Sequence, residues 1–210
     1  MSERILLADD HVVVREGVRG LLLKEGFRIA AEASDGHEAV RLAKEVQPDV
    51  AVLDLSMPLL NGLDAAREIQ RASPRIKTVL LTMYKEDQYV VEALKAGVRG
   101  YILKSQAAVD LVQAIRDVLR GAIYLSPGVS PTIVRDSLTA PPPATQYLTS
   151  REREVLQLVA EGKTTKEIAH VLDISVKTAD SHRTSIMAKL DLHETASLVR
   201  YAIRNGMIQP

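Results

Sequence analysis

Short apolar runs alternate with longer stretches of helical repeat across residues 4–120. The runs at 5–8, Arg28–Ala33, Val50–Asp54, Lys77–Thr82 and Gly100–Leu103 have the length and composition of strands. Between them, 12–23, 37–46, 62–71, 88–96 and 107–120 place apolar residues on one helical face. Val14, Val18, Leu21 and Leu22 line one such face, and Leu111, Ile115, Val118 and Leu119 another. Gly26, Gly97 and Gly121 fall where helix ends need a left-handed residue. Five strand and helix pairs in strict alternation predict an α/β fold with a doubly wound, five-stranded parallel sheet.

The pattern then changes. Residues 122–146 carry Pro127, Pro131 and Pro141 to Pro143 among Ser, Thr and Ala, and read as a stiffened linker in which Ser130 and Pro131 would start a short helix reaching 138. Residues 147–210 return to helical periodicity, with capping-box spacings at Thr149/Glu152, Thr164/Glu167 and Asp191/Glu194, and Ser175 as a further cap. The second expected unit is therefore small and all-α, and the predicted boundaries are 1–121, 122–146 and 147–210.

Composition sharpens this in three ways. Lys plus Arg equals Asp plus Glu at 27 each over 210 residues, so charge has to be read locally. The absence of cysteine excludes disulfides and thiolate chemistry and fits a reducing compartment. The opening MSERILLADD turns acidic too early for a signal peptide, and no run reaches membrane-spanning length, so a soluble cytoplasmic protein is expected.

The candidate chemistry sits at strand ends. Asp9 and Asp10 follow the first run, Asp54 ends the third, Thr82 the fourth, and Lys104 follows the fifth. In a parallel sheet these groups meet at one edge. At an effective dielectric of ~20, two carboxylates ~4 Å apart repel by about 4 kcal/mol, so three of them call for a cation. Oxygen donors favour a hard ion such as Mg²⁺. Singly, Asp9 or Asp10 is better read as a helix cap and Lys104 as a solvated charge; the concurrence at several strand ends is what carries the site.

LLADDH, VLDLSMPLLNG, VLLTMY and GYILKS together resemble the receiver domain of two-component response regulators, a flavodoxin-like fold. The resemblance implies that Asp54 accepts a phosphoryl group from a histidine kinase. It also implies Asp9, Asp10, Asp54 and the Ser56 carbonyl as Mg²⁺ ligands, Thr82 and Tyr101 as paired switch residues, and Lys104 as the phosphate-binding lysine. Tyr101 is expected to turn inward as Thr82 moves toward the phosphoryl group.

In the last segment, 165–172 and 176–190 have helix-turn-helix spacing. Val176, Ala179, Ile186, Met187 and Leu190 form the expected buried stripe, and Lys177, Asp180, Ser181, Thr184 and Ser185 the opposite face. LTSREREVL, EGKTTKEIA, SVKTADSH and IMAKL resemble the LuxR-type helix-turn-helix, and a receiver followed by such a unit is similar to the NarL/FixJ class. That resemblance implies DNA contacts from Lys177, Asp180, Ser181, Thr184 and Lys189, with Asp180 able to accept from cytosine. It also implies a dimer contact through Leu198, Val199 and Ala202. Arg183 falls on the apolar side, where an internal ion pair is expected. With 9 basic and 8 acidic residues, 147–210 is nearly neutral, so one copy should bind DNA weakly and a homodimer is implied.

An enzymatic alternative, a Mg²⁺-dependent phosphatase with Asp54 as nucleophile, lacks its general acid. Ser56 stands where the related phosphatases carry Asp. The expected role is a switch with at most slow self-dephosphorylation. A receiver that binds a partner without phosphorylation is the other alternative.

Overall fold

All five residues of the strand Val50–Asp54 are buried, which is why it reads as an unbroken apolar run ending in an acid. Such a strand must be covered on both faces, as in an α/β sheet. In the computed structural model, which describes residues 2–127, 129 and 148–208, the first elements are β1 (Arg4–Ala8), α1 (Val12–Lys24), β2 (Arg28–Ala33), α2 (Gly36–Val46) and β3 (Val50–Asp54). They continue with α3 (Gly62–Ala72), β4 (Lys77–Thr82), α4 (Asp87–Lys95), β5 (Gly100–Leu103), α5 (Ala107–Leu119) and β6 (Tyr124–Leu125). The sheet is entirely parallel, in the order β2-β1-β3-β4-β5-β6.

Strand alternation divides the core in two. Leu6, Ala8, Ala51 and Leu53 point toward α2, α3 and α4, meeting Ala39, Ala43, Ala66 and Ile69. Ile5, Leu7, Val50 and Val52 point the other way, onto Val18 and Leu22 of α1 and Leu111, Ile115 and Val118 of α5. The small residues on α2 and α3 let those helices lie close to the sheet, while α1 and α5 fill their side with branched chains. Strand order reverses between β1 and β3, and the crevice beyond their carboxyl ends is where this architecture places its ligands.

The sixth strand corrects the expectation of five. Tyr124 and Leu125 pair with Gly100 and Tyr101, so the sheet takes up residues that the proline-rich composition assigns to the linker. Ser126 is buried, with its hydroxyl donating to Asp110 at 2.8 Å and accepting the Leu103 N–H at 3.2 Å. Val129 is also part of the core. The predicted helix from Ser130 to 138, and most of the predicted linker, lie outside the described residues.

The chain forms two units, Met1–Thr139 and Ala140–Pro210. The second contains α6 (Ser150–Ala160), α7 (Thr165–Val171), α8 (Val176–Leu190) and α9 (Thr195–Arg204) among the described residues. Thr149/Glu152 and Thr164/Glu167 form reciprocal capping boxes, and Ser175 accepts the Thr178 N–H. The third predicted box is absent. Asp191, at φ 52°, ends α8 in the left-handed conformation, and α9 begins after Glu194 with no side-chain cap. Among the described residues, no helix is long and apolar enough to cross a membrane.

Candidate functional site

Three charged side chains converge where the carboxyl ends of β1, β3 and β5 meet. Asp9, just past β1, and Asp54, the last residue of β3, have side chains only 1% and 2% exposed. Lys104 opens a short 3₁₀ turn after β5, and its ammonium lies 2.9 Å from Asp9 Oδ2 and 2.9 Å from Asp54 Oδ2. Both oxygens are buried, with the Lys104 ammonium facing them. Neither Asp9 nor Asp10 caps α1; its N-cap is His11, and Asp9 Oδ1 accepts the His11 N–H at 2.8 Å.

Burial pushes the Asp54 carboxyl above its ordinary value, with the Lys104 ammonium opposing and the Asp9 charge adding to the rise. At Lys104 burial acts downward, yet the carboxylates outweigh it and the ammonium is raised. The pair's attraction thus prevails at the lysine and loses at the acid, because Asp54 is the more enclosed partner and a second carboxylate faces it. One ammonium does not balance Asp9, Asp10 and Asp54. Ligand atoms of Asp9, Asp10, His11 and Asp54 all lie within 4.8 Å of one another. With Asp10 Oδ1 buried and without a hydrogen-bond partner, this donor set fits a divalent cation.

His11 stands beside the acids as well, although the strand ends point in sequence only to oxygen donors. Its Nδ1 lies 2.9 Å from Asp10 Oδ1. The signal was the residue directly after the acidic pair.

The backbone around the acceptor strand is fixed by close approach. Gly62 donates its N–H to Leu55 O at 2.9 Å, and a Cβ at Gly62 would lie 2.0 Å from the Asp54 carbonyl oxygen. Ser56 supplies a backbone hydrogen bond to the Asp54 carboxylate. The intervening loop turns sharply at Leu59, φ 65°, where Leu60 N–H reaches Pro58 O at 2.7 Å.

Thr82 ends β4 fully enclosed, and its hydroxyl accepts the Tyr84 N–H at 3.0 Å. Tyr101 is 1% exposed, and its hydroxyl donates to Tyr84 O at 2.9 Å. Burial raises the Tyr101 phenol well above its ordinary value, against a hydrogen bond from Thr82. The expected inward turn therefore has no starting point in this conformation, since the ring already occupies the inner position. Tyr84 also packs against Tyr89, with ring centroids 4.9 Å apart.

In the second unit, Lys177, Asp180, Ser181 and Thr184 lie exposed along α8. Ser181 donates to Lys177 O at 2.9 Å and Thr184 to Asp180 O at 3.1 Å, leaving their hydroxyl lone pairs outward. Lys189 is also exposed, but its ammonium is held 2.7 Å from Glu152. Of the predicted stripe, Ala179 and Ile186 are buried, Met187 and Leu190 half-buried, and Val176 exposed. Ser185 belongs inside rather than on the open face, since it donates to Glu152 Oε1 at 2.7 Å.

Glu152 joins α6 to α8. It accepts from the Thr149 N–H at 2.7 Å, from Ser185 and from Lys189. Burial would push its carboxyl up, but these hydrogen bonds reverse that and hold it at about 2. Among the described residues Arg183 makes no ion pair of the expected kind; it reaches Thr165 Oγ1 at 3.0 Å and Thr195 Oγ1 at 3.3 Å, bridging the starts of α7 and α9. The dimer surface needs correction too. Leu198 and Ala202 are 0% exposed within the single chain, where α9 packs on α6, and only Val199 of the predicted three keeps some surface.

Comparison with known proteins agrees with this geometry. Residues 5–116 match the response regulator receiver domain family, and residues 146–202 match the luxR family of bacterial regulatory proteins. The oxygen regulatory protein NreC of Staphylococcus epidermidis is 37% identical over 216 residues, covering 98% of this chain and 99% of that protein. A LuxR-family two-component response regulator from Aurantimonas is 37% identical, with TM-score 0.61 over 66% of this chain and 99% of that one. RcsB of Salmonella enterica serovar Typhimurium, solved bound to the promoter P1flhDC in the presence of phosphomimetic BeF3-, is 28% identical, with TM-score 0.63 over 96% of this chain and 98% of that one. Matched in both halves and along nearly its whole length, the chain belongs to the response regulators of the NarL/FixJ class, transcription regulators in which a phosphorylation-switched receiver precedes a LuxR-type DNA-binding domain.

Proposed function

We propose that Asp54 is the phosphoacceptor and that a histidine kinase is its donor. The observation that carries this is the position of Asp54, enclosed at the end of β3 with Lys104 2.9 Å away and Asp9 and Asp10 beside it. Asp9, Asp10 and Asp54, with the Ser56 carbonyl, would hold Mg²⁺, which when bound offsets charge on the transferring phosphoryl oxygens. The Asp54 carboxylate oxygen attacks phosphorus and the donor's imidazole leaves. Lys104 then faces the new phosphoryl oxygens, and the Thr82 hydroxyl turns its hydrogen from Tyr101 toward them. The group adds roughly −1.5 to −2 charge, and the inward Tyr101 arrangement is the one it would favour. The role is that of a stoichiometric switch with at most slow self-dephosphorylation, acting in the cytoplasm.

The output reading is that phosphorylation favours a homodimer and operator binding by α8. Lys177 suits phosphates, and Asp180, Ser181 and Thr184 suit base edges. Lys189 would reach a phosphate only in exchange for Glu152. Two copies would occupy half-sites about one helical turn, roughly 34 Å, apart.

Incubation of the full chain with acetyl phosphate and Mg²⁺ should give one acid-labile phosphoryl group per chain and a stronger operator footprint. Asp54→Asn should abolish the label. Persistent labelling of that variant would assign the acceptor elsewhere, and an unchanged footprint would remove the switch.

A further inference from the structure

Lys104 has a long, flexible stem, so where its ammonium stands depends on how firmly the backbone beneath it is held. Its own segment supplies little of that hold. The 3₁₀ turn that Lys104 opens and the helix α5 that follows both begin without a side-chain cap. The hold comes from β6, on the other side of β5. That strand pairs only with Gly100 and Tyr101 and is followed by Pro127, which has no N–H to carry the ladder on. At the point of departure Ser126 takes over. Its N–H donates to Tyr101 O at 2.9 Å, and its hydroxyl accepts the Leu103 N–H at 3.2 Å and donates to Asp110 Oδ2 at 2.8 Å. Leu103 directly precedes Lys104, and Asp110 lies in the first turn of α5. One hydroxyl, on a residue 1% exposed, therefore clasps both ends of the turn that carries the lysine.

We infer that Ser126 is a positioning residue for phosphorylation of Asp54, holding Lys104 over the acceptor by clasping Leu103 and Asp110 together. Without the hydroxyl, the Leu103 N–H and the buried Asp110 carboxylate are each short of a partner, and the turn between them is free to shift. A small displacement of a group that faces transferring oxygens costs rate out of proportion to its size. Ser126 also stands where the chain leaves the receiver for the second unit, so the same clasp ties the pocket to the outgoing chain. The inference rests on the reading that Asp54 is the phosphoacceptor and Lys104 its phosphate-binding partner.

Initial rates of acetyl-phosphate labelling of the full chain with Mg²⁺, taken on variants that circular dichroism shows to be folded, test it as a double-mutant cycle. Lys104→Ala should slow labelling by about a hundredfold and Ser126→Ala by about tenfold. Lys104→Ala/Ser126→Ala should be no slower than Lys104→Ala, because a residue that acts through the lysine then has nothing left to place. A residue that only supports the fold would slow both backgrounds equally. Asp110→Ala opens the other end of the clasp and should behave in the same way, so it carries the test if Ser126→Ala does not fold. Wild-type labelling in whichever variant folds, or its loss repeated in full on top of Lys104→Ala, overturns the inference and leaves the acceptor in place. Wild-type labelling of Lys104→Ala removes the lysine's role and the inference with it, whereas only a label that persists in Asp54→Asn removes the acceptor.

Discussion

The receiver unit and the helical unit each bury a carboxylate beside a lysine, with opposite results. Asp54 lies 2.9 Å from Lys104, yet burial leaves its carboxyl raised. Glu152 lies 2.7 Å from Lys189, and its carboxyl is lowered to about 2. The difference is in the remaining partners. Glu152 also accepts from the Thr149 N–H and a serine hydroxyl, whereas Asp54, with a backbone hydrogen bond from Ser56, is more enclosed and faces another carboxylate. A satisfied carboxylate holds helices together; one that faces a second carboxylate is poised to take a cation or a phosphoryl group.

The largest effect that would sharpen this contrast comes from the backbone beneath Asp54. Gly62→Ala drives a Cβ against the Asp54 carbonyl, and the loop cannot give way without moving the acceptor. It should lower receiver stability by about 3 kcal/mol and slow acetyl-phosphate labelling, read from urea denaturation and label kinetics. Wild-type labelling in that variant would show that the acceptor tolerates displacement. Next comes Glu152→Ala, which leaves the Thr149 N–H, Ser185 and Lys189 without their shared partner. A loss of about 2 kcal/mol in the helical unit is expected, with the receiver unaffected, as read by hydrogen exchange of the full chain.

The same carboxylate predicts a pH window. Its folded value lies below the ordinary 4.5, so its contribution is present above 4.5 and lost as pH falls toward about 2. That contribution is at most about 3.4 kcal/mol, which screening at the partly exposed Lys189 reduces. Wild type minus Glu152→Ala, compared by urea midpoint across that range, should shrink toward zero; a constant difference would break the contrast. The smallest effect on folding should come from Lys177→Ala. It should leave stability within about 0.5 kcal/mol, weaken operator binding across sequences and lower the salt slope by about one.

Much of this was legible because strand ends are marked chemically. Asp54 and Thr82 close apolar runs, and only a parallel sheet gathers them with Asp9 and Lys104. What escaped did so for physical reasons. Tyr124 and Leu125 form a two-residue strand too short for periodicity, followed by a proline that looks like linker. Asp191 has capping-box spacing to Glu194, but a residue closing one helix in the left-handed region cannot also open the next. Periodicity identified the apolar face of α9 without saying whether its own core or a second copy covers it. Leu198 and Ala202 are claimed by the core. Arg183 found hydroxyls where an acid was expected, since a guanidinium fork is met by any suitably placed acceptor. His11 was overlooked because metal-site histidines are sought at regular spacings rather than beside their acids.

The short sixth strand bears on how this protein is best divided for expression. A receiver fragment ending at residue 121 would lose the partner of Gly100 and Tyr101, together with the serine that satisfies Asp110 and the Leu103 N–H. The bared edge of β5 would offer unpaired backbone groups to any neighbouring chain, a template for self-association. A fragment carried past Val129 keeps that edge closed, so the two lengths should differ in solubility.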